Sequence, residues 1–117
     1  MKKCCILLFV CMSIKVGAQT STFSRADSLL ERGRYRLALT NLKAMDTLQD
    51  ISNYKIGRIY ASIDNHKKAI EFYEKSIVLK DTYKAKLMLG KSYYKLKNYL
   101  KAIEIYQKLI DEDPNNL

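Results

Sequence analysis

The sequence predicts an all-α chain of about three antiparallel helical hairpins, and three observations carry that expectation. First, the stretch KAIEFYEKSI (Lys68 to Ile77) returns thirty-three residues later as KAIEIYQKLI (Lys101 to Ile110), and ten positions between Gly57 and Ile77 are identical to their partners between Gly90 and Ile110. Self-similarity at a fixed spacing is the signature of a repeat architecture. Second, apolar residues from Gln19 onward recur at intervals of three and four and nowhere alternate over a strand's length, which is helical periodicity. Third, Asn65 and Asn98 stand at the expected corner of each repeat, where a side-chain oxygen can accept from the free amides of a helix's first turn.

The first eighteen residues read as a leader. Met1, Lys2 and Lys3 make a basic start, Cys4 to Ile14 is an apolar run of eleven residues, and Val16, Gly17 and Ala18 supply small residues before a cut at Ala18/Gln19. Eleven apolar residues ending at Lys15 fall well short of the ~20 that span a bilayer, so a cleaved export signal fits better than an anchor. The bulky Leu8, Phe9 and Val10 before Cys11 disfavour a lipid-modified cysteine. Export of the mature chain, to the periplasm, the envelope or the medium of a bacterium, is therefore the expectation.

All three cysteines, Cys4, Cys5 and Cys11, lie in this leader, so the mature chain would hold neither a disulfide nor a thiolate metal site. Loss of Lys2, Lys3 and Lys15 lowers the net charge from +9 to +6. That is basic without announcing a nucleic-acid binder. The 117 residues, 48% apolar, allow one small domain over 19–117.

In the middle repeat, Ile56, Tyr60 and Ile63 form the apolar stripe of a first helix, and Ala69, Ile70, Tyr73 and Ile77 that of a second. The last repeat supplies Leu89, Tyr93 and Leu96, then Ala102, Ile103, Tyr106 and Ile110. Glu71, Glu74 and Lys75 face away from the second stripe. Pro114 closes the last helix, because proline lacks the N–H for the ladder and strains the residue before it.

These residues resemble the tetratricopeptide repeat family, whose helical hairpins carry a loose pattern of Leu-Gly, Tyr, Ala, aromatic and a terminal Pro. Ile56-Gly57, Tyr60, Ala69, Tyr73 and Ser76 match in order and spacing, as do Leu89-Gly90, Tyr93, Ala102, Tyr106 and Pro114. Gly57 and Gly90 would let one helix approach its neighbour closely, Ala69 and Ala102 would do the same from the second arm, and the tyrosines would fill the space between. Asn53 and Lys86 replace the family's frequent Trp, and Asp81 stands where a Pro would close the earlier repeat. A weaker first copy follows the same rhythm through Leu29, Leu30, Gly33, Tyr35, Ala38 and Leu42, with Ala26 in the glycine slot. The resemblance implies a right-handed solenoid of repeats at about 22–49, 50–82 and 83–116. No polar capping helix follows Leu109 and Ile110, which leaves three readings open for that end: a shortened member of a longer family, a partner or second copy that covers it, or an apolar terminus that is simply tolerated.

A search for chemistry finds little. His66 is the only histidine and is expected at the surface of a hairpin corner; Asp111, Glu112 and Asp113 lack the glycine turn and alternating spacing of a calcium loop. No phosphate loop or nucleophile elbow is present in the sequence. Neither a catalytic site nor a cofactor or metal is expected.

The resemblance lends meaning to the surface, because first helices in such arrays line a concave groove that commonly holds a peptide. Opposite the packed stripe, the middle repeat carries Tyr54, Arg58 and Ala61, and the last carries Lys84, Leu87, Lys91, Tyr94 and Lys95. Basic groups interleaved with aromatics suit an acidic or carboxylate-bearing segment. The carboxylate clamp of chaperone-binding members does not carry over, since Asp27 and Lys55 hold its asparagine slots and Met88 its last basic slot, leaving Lys84 alone in place. The expected function is an exported, non-enzymatic protein-binding scaffold. A truncated extracytoplasmic input module of a membrane signalling protein is the second reading, and an anionic-polymer binder the third.

Overall fold

The structure, a computed structural model, describes residues 22–45 and 49–115. The expected leader lies outside the described residues. Six helices appear among them: α1 (22–31), α2 (Tyr35–Lys43), α3 (Asp50–Ser62), α4 (His66–Leu79), α5 (Tyr83–Lys95) and α6 (Tyr99–Glu112). None is long and apolar enough to cross a membrane. The chain divides into two compact units, 1–45 and 46–117.

One turn is used three times. Gly33, Asp64 and Lys97 adopt left-handed backbone conformations at φ 71°, 60° and 63°. Around each, two hydrogen bonds close the preceding helix: Asp64 N–H donates to Ala61 O and Asn65 N–H to Tyr60 O, Lys97 to Tyr94 and Asn98 to Tyr93, Gly33 to Leu30 and Arg34 to Leu29. This nested pair satisfies carbonyls that a helix end would otherwise strand. The next helix then begins at once. Asn65 Oδ1 accepts from Lys68 N–H at 3.3 Å, and Asn98 Oδ1 from Lys101 N–H at 3.4 Å, so both asparagines are the N-caps that the sequence predicts. Arg34 makes no such side-chain cap, which fits the weaker first copy.

In the first unit Ala26, Ala38 and Leu42 are buried, following the expected stripe. In the second, α4 packs against α3 within one hairpin and against α5 of the next, while α5 pairs with α6. The small residues act as expected. Ala69 and Ala102 are fully buried, and a Cβ placed on Gly57 or Gly90 would lie 2.6 Å from Cε1 of Tyr73 or Tyr106. Tyr60 stacks on Phe72 with ring centroids 5.6 Å apart, and Tyr93 Oη donates to Glu74 Oε1 across α5 and α4.

The apolar stripes differ from expectation at their ends. Ile63 and Leu96 are exposed because each sits in the turn and not in the helix it was expected to continue. On α6, Leu109 is buried while Ile103 and Ile110 are exposed, and Ile103 is 61% accessible. Its counterpart Ile70 is half-buried because α5 lies over α4, whereas no described helix lies over that side of α6. Pro114 follows the end of α6, as expected.

Both positions that replace the repeat's tryptophan have found other partners. Asn53 is buried and its Nδ2 donates to Gln49 O at 2.9 Å. Lys86 reaches Asp81 at 3.0 Å and also Glu112, tying the link before α5 to the end of α6. Thr82 caps α5, its Oγ1 accepting from Ala85 N–H, and Ser76 Oγ donates to Asp50 O across the mouth of the α3–α4 hairpin.

Candidate groove on the first helices

The stripe opposite the packed one on α3 and α5 opens onto two depressions. At the corner end, Arg58, Ala61 and Ser62 of α3 face Met88, Lys91, Ser92 and Lys95 of α5 across a space of about 270 Å³, with His66 and Tyr73 of α4 also lining it. At the other end, a space of about 340 Å³ is lined by Tyr54 and Lys55 of α3, Lys80, and Lys84 of α5, among others. Of the residues that the sequence marks, Arg58, Lys91 and Lys95 therefore meet in the first depression, and Tyr54 and Lys84 in the second. Leu87 is half-buried and lines neither. Tyr94 lines neither; it is exposed, and its ring packs edge-on with that of Tyr99 of α6, the centroids 5.2 Å apart.

The corner depression is strongly one-signed. Arg58, Lys91 and Lys95 are exposed and, among the described residues, none is within ion-pairing distance of a carboxylate. No acidic side chain lines the space. Like charges gathered without compensation cost free energy that a bound anion would relieve. In the second depression Lys84 Nζ lies 5.5 Å from the centroid of Tyr54, a cation–π contact that engages that charge. The Tyr54 ring in turn stands 5.9 Å from that of Tyr73. Burial raises the Tyr54 phenol above its ordinary pKa, and the charge of Arg58 acts the other way.

His66 corrects the sequence reading. Its side chain is only 12% accessible, with Nε2 3.5 Å from Asp64 Oδ1 and Nδ1 buried without a hydrogen-bond partner. The reason is positional: His66 is the first residue of α4, directly after the tight turn, and there it lines the same space as Ser92 and Lys95 of α5. Tyr73, expected only to fill space, is fully buried, and its Oη likewise has no partner. The sequence signal for it was slight, a hydroxyl at an aromatic position where phenylalanine would pack as well.

The opposite surface holds a depression of its own, about 530 Å³, lined by Asn53 of α3 and by Phe72, Val78, Leu79, Glu71, Glu74 and Lys75 of α4, so its charges are of both signs. On α4, Glu71 lies 3.4 Å from both Lys68 and Lys75, and on α6 Glu104 lies 3.6 Å from Lys108. Such exposed intrahelical pairs contribute only tenths of a kcal/mol each. Among the described residues, no group of three or more His, Cys, Asp or Glu side chains is placed to hold a metal ion.

Paired helices repeating every thirty-odd residues, with a glycine against an aromatic ring in each, define a helical-repeat protein. Residues 51–82 and 84–116 each match the tetratricopeptide repeat. The second unit of this chain belongs to that family. The first tetratricopeptide domain of Spaghetti (RPAP3), solved bound to the HSP90 peptide SRMEEVD, superposes with a TM-score of 0.76 at 16% identity, covering 84% of this chain and 81% of that one. The second such domain of human RPAP3, in complex with the HSP70 peptide SGPTIEEVD, gives 0.74 at 19% identity, covering 83% and 84%. MamA gives 0.71 at 27% identity, with 80% of this chain matched to 57% of MamA. No curated protein sequence matches the chain.

Proposed function

We propose that this chain is a non-enzymatic scaffold that holds a protein or peptide partner along the exposed stripes of α3 and α5, and that it works after export, in the cell envelope or outside the cell. The observation that carries the reading is the convergence of Arg58, Lys91 and Lys95, unpaired, on one depression with no acidic lining. An acidic or carboxylate-bearing segment is the partner chemistry that such a surface favours. Support comes also from the fold, since the two RPAP3 domains that it resembles were solved with peptides bound. The basic start, short apolar run and small-residue cut of the first eighteen residues support export.

The test compares two charge reversals in the mature chain, used to capture partners from an envelope extract. Arg58→Glu with Lys91→Glu should abolish capture of whatever the parent chain retains, and raised salt should weaken it in part. Lys75→Glu with Lys108→Glu, on the second helices, should leave capture intact. If the second pair proves the more damaging, the groove is not the working surface. Intact-mass measurement of exported material that still carries Met1 to Ala18 would refute cleavage.

A further inference from the structure

We infer that the corner depression is a socket for a single carboxylate, presented by an acidic side chain of the bound segment, and that Tyr73 Oη is its buried hydrogen-bond donor. The inference rests on the groove reading above and adds to it the anchoring group and its ligand. Two features converge on one space of about 270 Å³. Tyr73 is wholly buried, lines the space, and has a hydroxyl without a partner. A buried hydroxyl left unsatisfied is unfavourable, and most buried polar atoms in folded proteins are satisfied. Arg58, Lys91 and Lys95 surround the space with donors only, since neither guanidinium nor ammonium can accept.

Ser62, His66 and Ser92 also line the space and can accept as well as donate, but the three fixed charges favour an occupant that accepts hydrogen bonds and carries negative charge. A carboxylate does both, and a guanidinium and a phenol suit it geometrically, the first in a forked pair and the second end-on. Burial pushes the Tyr73 phenol well above its ordinary pKa, with the charge of the ionised Tyr54 phenol adding to the shift and that of Arg58 opposing it, so it stays a protonated donor. The space is too small for a folded partner's surface and large enough for one side chain.

The test uses glutarate, its neutral analogue glutaramide, and inorganic phosphate, each titrated into the isotope-labelled mature chain and followed by amide shifts at Ser62, His66 and Ser92. Glutarate should move these amides saturably, while glutaramide should not. Tyr73→Phe, which keeps the ring against Gly57, should weaken glutarate by about tenfold, the worth of one hydrogen bond to a charged group. It should also leave the unliganded protein at least as stable, because the hydroxyl it removes has no partner. Lys75→Gln should change neither. Equal glutarate affinity in Tyr73→Phe would overturn the socket, as would shifts spread over α4 and α6 or binding of phosphate without glutarate. Loss of partner capture on charge reversal at Arg58 and Lys91, with Tyr73→Phe silent toward glutarate, would leave the groove standing and the socket fallen.

Discussion

A Cβ added to Gly57 would stand 2.6 Å from Cε1 of Tyr73, and the same relation recurs between Gly90 and Tyr106. A Cβ at that distance would force the ring to shift, so in each hairpin the glycine of the first helix is the seat of the aromatic ring of the second. The two seats differ in what can yield. Tyr73 is wholly enclosed, whereas Tyr106 is half-exposed.

Gly57→Ala should accordingly cost more than Gly90→Ala. Overpacking of this kind typically costs about 1 to 3 kcal/mol, and the enclosed ring puts Gly57 at the upper end. Urea denaturation of both variants gives the comparison, and Ala69→Leu should fall in the same range. Equal and negligible shifts would mean that the rings move aside freely and that the hairpins are not packed through them.

The repeated left-handed turn invites a stabilising change. An L-residue in that conformation is disfavoured by about 1 to 2 kcal/mol, against roughly 0.4 to 1 kcal/mol lost to glycine's greater freedom when unfolded. Lys97→Gly should therefore raise the unfolding midpoint, with a net gain of up to about 1.5 kcal/mol. Asp64→Gly should gain less, because aspartate tolerates this conformation and Asp64 also meets His66 at 3.5 Å. Gly33→Ala should lower stability in the first hairpin. A midpoint that falls in Lys97→Gly would contradict the assigned turn.

Acidification should weaken the outer face of α4. The hydrogen bond and then the charge of Lys68, followed by Lys75, hold the Glu71 carboxyl below its usual range. A pKa depressed in the folded state means stability that is present above the unfolded value and lost as pH falls through the folded one. Because Glu71 is fully exposed, the effect should be small and erased by salt. A carbon-detected titration should place the Glu71 midpoint below that of a free glutamate and return it toward that value in high salt. A midpoint unmoved by Lys68→Gln would show that these contacts do not persist in solution.

Much of the fold follows from local chemistry. The helices of the second unit are readable from apolar spacing, the hairpin corners from Asn65 and Asn98, and the helix approaches from Gly57, Gly90, Ala69 and Ala102, because each of these acts within one turn or against one neighbour. The basic stripe of Arg58, Lys91 and Lys95 is readable for the same reason, once one face of each helix is assigned to the core.

Tertiary structure alone decided which faces have a covering neighbour. Ile70 and Ile103 occupy equivalent positions in nearly identical stretches, yet α5 lies over the first and no described helix over the second. Tyr94 stays exposed, as its spacing suggests, but its packing against the Tyr99 ring is a contact that spacing does not reveal. His66 and Tyr73 carry no local sign that their polar atoms will be buried beside three cations. That arrangement needs α3, α4 and α5 together, since periodicity fixes a residue's direction from its own helix axis, and burial is set by what the next helix brings to meet it.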